Sequence, residues 1–315
     1  KATLPYFLKT EAPTDLKREV YGWYLESEEW NRQITRLLDS ENYTLSWNIS
    51  RETAERLWKK TLYTTISRLE KFASCPLSFF LNYGLKLNER KVHSFSPPEA
   101  GNMMHAVMEH FVKNAIDEKT DWNALTFADV KEKTLTLCNE EIARQTALFP
   151  SVTNRYAFLL SRIKTSTVNA MWAVVHHIKA GIFKPYAAEY VFKDETAVRM
   201  TTDNGNELVL SGKIDRIDTS STNGYRIIDY KSGEKDLSLS SVASGRSLQL
   251  PIYSCALKDK LNHPRGMFYL TVDAPLIARD FSYSADEPDE KLLKEYKLAG
   301  YAVGGSETLL EMDKN

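Results

Sequence analysis

The sequence has few cysteines, no long apolar run and no excess of charge of either sign. Its three cysteines, Cys75, Cys138 and Cys255, form no C-x-x-C pair, which excludes a disulfide framework and is typical of a reducing, cytoplasmic protein. No apolar stretch approaches the roughly 18 residues of a membrane span, so we expect no membrane partner. The 41 basic and 42 acidic residues nearly cancel. Any contact with DNA must therefore come from a local basic groove.

The rest of the composition is that of a globular protein. Of 315 residues, 43% are hydrophobic and 26% are charged, which suffices for one large or two small domains. The chain begins at Lys1 rather than Met, so we expect a piece of a longer protein. It contains no G-x-x-x-x-G-K-[ST] loop, and we expect no ATP binding at a P-loop.

Apolar periodicity divides the chain into a helical half and a strand-rich half. Residues 1–60 show near-helical spacing of aromatic and aliphatic side chains, and the cap-like Ser50 precedes a new helix. We interpret 1–60 as a helical N-terminal segment. A second domain over 61–315 would have a helical part at 61–180 and a sheet core at 181–300.

Local signals place individual elements in the second domain. Ser67 is predicted to cap a short helix with Glu70 at the capping-box position, and Pro76 to begin another that ends at Gly84. Residues 234–245 are predicted to form a Ser-rich loop, and 301–315 carry no strong signal. Further helices are predicted over 101–117, 121–148, 154–179, from near 247, and over 290–298; four strands are predicted over 185–192, 207–217, 225–231 and 265–272.

Two carboxylates stand out in the hairpin predicted over 207–233. Asp215 and Asp229 have aliphatic neighbours, and a carboxylate in such a setting must be solvated, paired or metal-bound. Lys231 lies two residues after Asp229, so both side chains project from one face of the strand. A divalent ion would hold the two carboxylates together, an arrangement suited to phosphodiester hydrolysis. The alternative is an exposed hairpin with a surface ion pair, because D-x-K alone is a weak pattern.

Several motifs resemble the RecB-type branch of the PD-(D/E)XK nucleases, and most closely the nuclease domain of AddB-type subunits of bacterial helicase–nucleases. They are SRLEKFASCP at 67–76, the G-x-x-x-H of Gly101 and His105, GKIDRID at 212–218, IIDYKSG at 227–233 and QLPIY at 249–253. The resemblance covers roughly residues 61–300. It implies an α/β fold with a PD-(D/E)XK core, a small mixed sheet flanked by helices, behind a largely helical N-terminal part.

The resemblance also assigns roles to residues. It implies that His105, Asp215, Asp229 and the carbonyl of Tyr230 bind one or two Mg²⁺ (or Mn²⁺) ions, with Glu109 as an accessory candidate. The implied catalytic residues are Asp215, Asp229, Lys231, Gln249 and Tyr253. Glu189 has a counterpart in the family core with a less fixed role. From the residues alone, His105 could be an ordinary boundary residue and Tyr253 a core residue.

The implied function is that of a metal-dependent DNA exonuclease domain that processes double-strand ends for recombinational repair. The implied partners are DNA, as a single strand or unwound end, and an AddA-like helicase–nuclease subunit. In AddB-type subunits the cysteine that corresponds to Cys75 is one of four ligands of a [4Fe–4S] cluster. Since this chain carries no matching cysteine cluster, we expect that cofactor only in a longer parent. The alternatives are a stand-alone RecB-like or CRISPR-associated exonuclease and a non-catalytic scaffold that binds DNA ends.

Overall fold

In a computed structural model the chain divides into two compact units, Lys1–Ala54 and Glu55–Asn315. The structure describes residues 14–41, 48–87, 97–146, 154–233, 237–272 and 290–313. The boundary predicted at residue 60 stays a prediction.

The helices predicted over 1–60 are confirmed within the described residues. They are α1 (Thr14–Glu26), α2 (Asn31–Glu41) and α3 (Arg51–Leu57). Ser50 caps α3 as expected, because its hydroxyl oxygen accepts a hydrogen bond from the backbone N–H of Thr53 at 3.2 Å.

The segment after α3 differs from its prediction. Residues Thr61–Thr65 form strand β1, whose β-branched and aromatic side chains favour an extended chain. Helix α4 (Ile66–Ser74) follows with Thr65 at its N-cap, so the predicted capping box of Ser67 and Glu70 is wrong. Helix α5 (Pro76–Phe79) begins at proline as predicted, and a π-helical turn, Phe80–Gly84, completes it.

Three long helices contribute most residues of the larger of two hydrophobic clusters. They are α6 (Pro97–Asp117), α7 (Phe127–Thr146) and α8 (Asn154–Ala180). Helix α7 begins six residues later than predicted, because Thr126 and Asp129 form a capping box: the Asp129 carboxylate accepts from the Thr126 N–H at 2.9 Å and the Thr126 hydroxyl from the Asp129 N–H at 3.3 Å.

The remaining strands form a mixed sheet around one long strand. After β2 (Lys184–Phe192) and β3 (Val198–Thr201) come β4 (Glu207–Thr219) and β5 (Tyr225–Lys231), then β6 (Pro264–Thr271) and β7 (Leu298–Ala302). Strand β4 pairs in parallel with β1 and antiparallel with β2, β3 and β5. Strand β5 pairs in parallel with β6, which pairs antiparallel with β7. The predicted α/β fold with a mixed sheet flanked by helices is confirmed.

The later helices show where the sequence signals were incomplete. Helix α9 (Leu239–Ala243) lies in the predicted loop, and α10 (Gln249–Leu257) begins close to its predicted start. Helix α11 (Glu290–Glu295) is shorter than expected, because Gly300 belongs to β7: a Cβ there would lie 2.0 Å from the Met267 carbonyl oxygen. Helix α12 (Ser306–Met312) follows.

Strand β5 separates two hydrophobic clusters. Ile228 and Tyr230 pack with residues of α6 and α8, whereas Tyr225 and Ile227 pack with residues of α10. Asp229 and Lys231 continue the alternation toward α10. In the described parts of the chain, no helix has both the length and the apolar character needed to cross a membrane.

A fully buried charge network lies on the α8 side of this hairpin. Both Arg216 and Arg226 donate to Oδ2 of Asp218, at 3.0 and 2.9 Å, and Arg216 also donates to the Tyr230 hydroxyl at 3.2 Å. Burial disfavours the charge on Asp218, but the two guanidinium groups hold the pKa of this carboxyl below its usual value. The carboxylate thus neutralises part of a buried positive charge.

We expect Asp218→Asn to destabilise the fold by about 3 kcal/mol or more, because it leaves two buried guanidinium groups without a counter-charge. Chemical unfolding followed by circular dichroism would measure the loss. Asp203→Asn makes the same change on an exposed turn and should leave stability almost unaltered. Equal stability of the two variants would contradict the role assigned to Asp218.

Candidate active site

The candidate site lies where the β4–β5 ladder ends. The last paired residues are Arg216 and Ile228. Immediately beyond them, Oδ2 of Asp215 accepts a hydrogen bond from the backbone N–H of Tyr230 at 2.8 Å. The carboxylate thus accepts from a β5 backbone N–H that lies beyond the β4–β5 ladder. This bond fixes the position of Asp215 at the open end of the hairpin.

Helix α6 brings an imidazole to this carboxylate. Nε2 of His105 lies 2.9 Å from Oδ2 of Asp215 and 3.2 Å from the carbonyl oxygen of Tyr230. Nδ1 of the same ring lies 3.2 Å from Oε1 of Glu109, one turn further along the helix. Both ring nitrogens therefore face oxygen acceptors, and only a protonated ring can donate to both sides.

The electrostatics of His105 agree with this geometry. Burial favours the neutral ring, but hydrogen bonds and charges from Asp215 and Glu109 overcome it and raise the pKa of His105 to about 10. The ring therefore supplies a positive charge between Glu109 and Asp215, which are only 4% and 5% exposed.

Gly101 accounts for the close approach of α6 to the hairpin. A Cβ at this position would lie 2.6 Å from Cβ of Ser232, the residue after Lys231. The helix can approach the end of β5 only because position 101 lacks a side chain. In the G-x-x-x-H motif, the glycine thus lets α6 approach the hairpin closely enough for the histidine to reach Asp215.

The other half of the site is a network on β5 and α10. Lys231 and Asp229 form an ion pair on one face of the strand, as their spacing predicted. The Gln249 amide bridges them: Nε2 donates to Oδ1 of Asp229 at 2.6 Å, and Oε1 accepts from Nζ of Lys231 at 2.8 Å. Nε2 also donates to the Tyr253 hydroxyl at 2.8 Å. Tyr253 is a core residue as well, since it is buried within the α10 cluster.

Asp229 is nearly inaccessible to solvent and lies close to Asp215. Burial and then the charge of Asp215 raise the pKa of Asp229 to about 7, against the opposing charge of Lys231. The charge of one hairpin carboxylate thus acts on the other, and their joint role at a cation stays a prediction.

A third ion pair involves Lys213, which sequence analysis did not single out. Its Nζ lies 3.1 Å from Oε1 of Glu109 and 2.7 Å from Oε1 of Glu189. Glu189 has a positive φ of 54° within β2, a backbone conformation that costs energy for a non-glycine residue. One feature of the sequence could have indicated a role for Lys213: it lies two residues before Asp215 on the same strand.

The donor set fits a hard divalent cation. One ligand atom from each of His105, Glu109 and Asp215 lies within 4.8 Å of the others. The Tyr230 carbonyl lies beside the imidazole, and carboxylate, carbonyl and imidazole donors suit Mg²⁺ or Mn²⁺. Asp229 lies outside this group, so its role as a ligand stays a prediction, whereas the accessory candidate Glu109 lies within it.

Cys75 lies apart from these ligands. It is exposed, and its Sγ accepts a hydrogen bond from the Ser78 N–H at 3.4 Å at the start of α5. Among the residues that the structure describes, no converging group of three histidine, cysteine or acidic ligands includes it. Its role in an iron–sulfur cluster stays a prediction for a longer chain.

Cation binding at this site should depend on pH. His105 must lose its proton before the ring can be a ligand, and a pKa of about 10 means that the proton is present at neutral pH. We expect the affinity for Mn²⁺ to rise about tenfold per unit between about pH 7 and about pH 9. Isothermal titration calorimetry in buffers of different ionisation enthalpy would also count the protons released.

The matched control is His105→Ala. Without the imidazole, the remaining pH dependence comes from Asp229 and should flatten above about pH 8, because the pKa of this carboxyl is about 7. A native chain whose Mn²⁺ affinity stays constant over this pH range would contradict the assignment of His105 as a ligand.

Comparison with known proteins agrees with this geometry. The chain is 34% identical over 310 residues to a subunit of the ATP-dependent helicase/deoxyribonuclease of Thermoanaerobacter sp. (strain X514). It is 32% identical to the same-named protein of Caldanaerobacter subterraneus subsp. tengcongensis over 311 residues, and 31% identical to that of Clostridium acetobutylicum over 310. Each alignment covers 94% of this chain but 27% of the relative, so the chain spans about a quarter of their length. The family model of the PD-(D/E)XK nuclease superfamily matches residues 63–307, and the chain belongs to that superfamily.

Proposed function

We propose that this chain is a metal-dependent exonuclease domain that hydrolyses DNA phosphodiester bonds with Mg²⁺ or Mn²⁺. The observation that carries the proposal is the convergence of two halves at one strand end. One half holds His105, Glu109 and Asp215 around the Tyr230 carbonyl, and the other holds the pair of Asp229 and Lys231. A nuclease needs both, because an anionic phosphate must be neutralised while water attacks it.

The first half would hold the cation. His105, Glu109, Asp215 and the Tyr230 carbonyl are its ligands in this proposal, with Asp229 as a further candidate. When bound there, a divalent cation polarises a phosphate oxygen and lowers the pKa of a water molecule. The protein contributes rigidity, because the Asp215 carboxylate is fixed by the Tyr230 amide and Glu109 by Lys213.

The second half would orient the substrate. Lys231 is 23% exposed at its side chain, and its ammonium has three N–H donors. Asp229 and Gln249 accept from this ammonium, and the centroid of the Tyr269 ring lies 5.3 Å from Nζ. In this proposal the remaining N–H donates to a phosphate oxygen or to the attacking water. Asp229 and Gln249 hold the ammonium in place, and Tyr253 in turn holds Gln249. In this arrangement Lys231 reduces the negative charge that develops at the phosphate.

The relatives favour a role within a larger assembly. Their name joins a helicase and a deoxyribonuclease, and this chain corresponds to 27% of their length. We therefore include in the proposal an unwound DNA end as substrate, an AddA-like helicase–nuclease subunit as partner and a cytoplasmic location. An iron–sulfur cluster with Cys75 as one ligand belongs to the proposal only for a longer chain.

A non-catalytic scaffold is the second candidate. It would bind DNA ends through the same surface and would have no chemical need for a partly buried lysine bridged to an aspartate. The bridge through Gln249, with bonds of 2.6 and 2.8 Å, therefore favours the enzyme over the scaffold.

We expect Lys231→Ala to lower Mg²⁺-dependent degradation of single-stranded DNA by about a hundredfold or more, because it removes the cation that faces the phosphate. A fluorescently labelled strand would report the rate, with this chain assayed alone and within the full-length protein. Lys258→Ala, the same change at an exposed lysine where α10 ends, should retain the native rate.

The same experiment distinguishes the two candidate functions. DNA binding by fluorescence anisotropy without Mg²⁺-dependent cleavage, in the full-length protein as well as in this chain alone, would favour the scaffold. Equal cleavage rates for the native protein and Lys231→Ala would remove Lys231 from the mechanism.

A further inference from the structure

Helix α10 begins without a local cap. The first backbone N–H groups of a helix have no partner within it, and a Ser, Thr, Asp or Asn side chain at the N-cap usually satisfies one of them. The N-cap of α10 is Leu248, whose side chain accepts no hydrogen bond. Pro251, within the first turn, carries no N–H at all.

A residue far away in the sequence supplies the missing cap. Oε1 of Glu70, on α4, accepts a hydrogen bond from the Leu248 N–H at 2.7 Å and another from the Gln249 N–H at 3.2 Å. Glu70 precedes Leu248 by 178 residues. A carboxylate at this end of the helix is also favoured by the helix dipole.

The packing of α4 against α10 sets the position of Glu70. Ile66 on α4 belongs to the same hydrophobic cluster as Leu250 and Tyr253 on α10. Glu70 itself is half-buried, so its bonds to the two amides are partly shielded from water. Helix α4 and the first turn of α10 are therefore held against each other by apolar contacts, with the carboxylate bonded between them.

One of the two capped amides belongs to Gln249. The side chain of this residue bridges Asp229 and Lys231, with bonds of 2.6 and 2.8 Å. These distances tolerate little movement of the Gln249 backbone, because two bonds in different directions must be made by one planar amide. The Glu70 carboxylate is thus two contacts away from the lysine of the candidate site.

We propose that Glu70 is a positioning residue for the nuclease reaction. It fixes the backbone of Gln249 so that the Gln249 amide holds Asp229 and Lys231 in register with each other. This inference rests on the proposed function. It links the segment before Cys75 to the candidate active site through one carboxylate, a connection that neither motif reveals alone.

The test is a double-mutant cycle measured as kcat and KM for Mg²⁺-dependent degradation of single-stranded DNA. We expect Glu70→Ala to lower kcat roughly ten- to hundredfold with little change in KM. Glu70→Gln should retain most of kcat, because a carboxamide oxygen can still accept both N–H groups. The pair Glu70→Ala and Gln249→Ala together should be no slower than Gln249→Ala alone.

A purely structural cap would give another pattern. Glu70→Ala would then lower the melting temperature and leave kcat unchanged, or its loss of kcat would multiply with that of Gln249→Ala; either result overturns the proposal. Glu195→Ala, the same change at an exposed glutamate, is the control and should alter neither quantity.

The positioning role of Glu70 can also be tested without measuring activity. In the native chain the side-chain amide protons of Gln249 should exchange slowly with solvent, because they are donated to Asp229 and Tyr253. Glu70→Ala should speed their exchange and that of the Leu248 and Gln249 backbone amides, as measured by nuclear magnetic resonance. If neither this chain nor the full-length protein cleaves DNA, the proposed function fails, but unchanged exchange in Glu70→Ala is what overturns the positioning role.

Discussion

Repulsion between buried carboxylates is the constraint on which this site depends. Asp215, Asp229 and Glu109 are all at least nine-tenths buried near one strand end, where bare negative charges would be very costly. Each is paired with a cation: Asp215 with His105, Asp229 with Lys231, and Glu109 with both His105 and Lys213. The fold therefore brings these ion pairs, which involve α6, β4 and β5, to one place.

Tyr230 joins this site to the support beneath it. Its N–H donates to Asp215, its carbonyl oxygen lies 3.2 Å from Nε2 of His105, and its hydroxyl accepts from the buried Arg216. One residue thus has its backbone in the candidate active site and its side chain in the charge network of Asp218. Because that network is fully buried, the end of β5 has little freedom to move. The rigidity that the proposed metal site would require comes from the opposite face of the strand.

The parts of this structure that were predictable are those set by local periodicity. The period of two placed Asp229 and Lys231 on one face, and the i,i+4 spacing placed Gln249 beside Tyr253. Strands β1, β3 and β7 were missed, because pieces of five, four and five residues are defined by their pairing with β4 and β6 and not by their own pattern. The role of Glu70 was predicted wrongly for a related reason. Its S-x-x-E spacing from Ser67 matches a local helix cap, whereas the N–H that it accepts from belongs to Leu248, 178 residues away. No local rule could supply that contact, since only the packing of α4 against α10 creates it.

The two halves of the site are physically distinct and communicate through charge. Helix α6 and Asp215 of β4 carry the cation half, whereas β5 and α10 carry the lysine half. A shift of α10 would disturb the bridge made by Gln249 but not the contact of His105 with Asp215, because no residue of α10 takes part in that contact. Burial raises the pKa of Asp229 most, and the charge of Asp215, which connects the two halves, raises it further. A cation that neutralises Asp215 would therefore lower the pKa of Asp229 and strengthen its ion pair with Lys231. In the proposed mechanism, a cation in the first half would thus strengthen the ion pair that holds Lys231 in the second half.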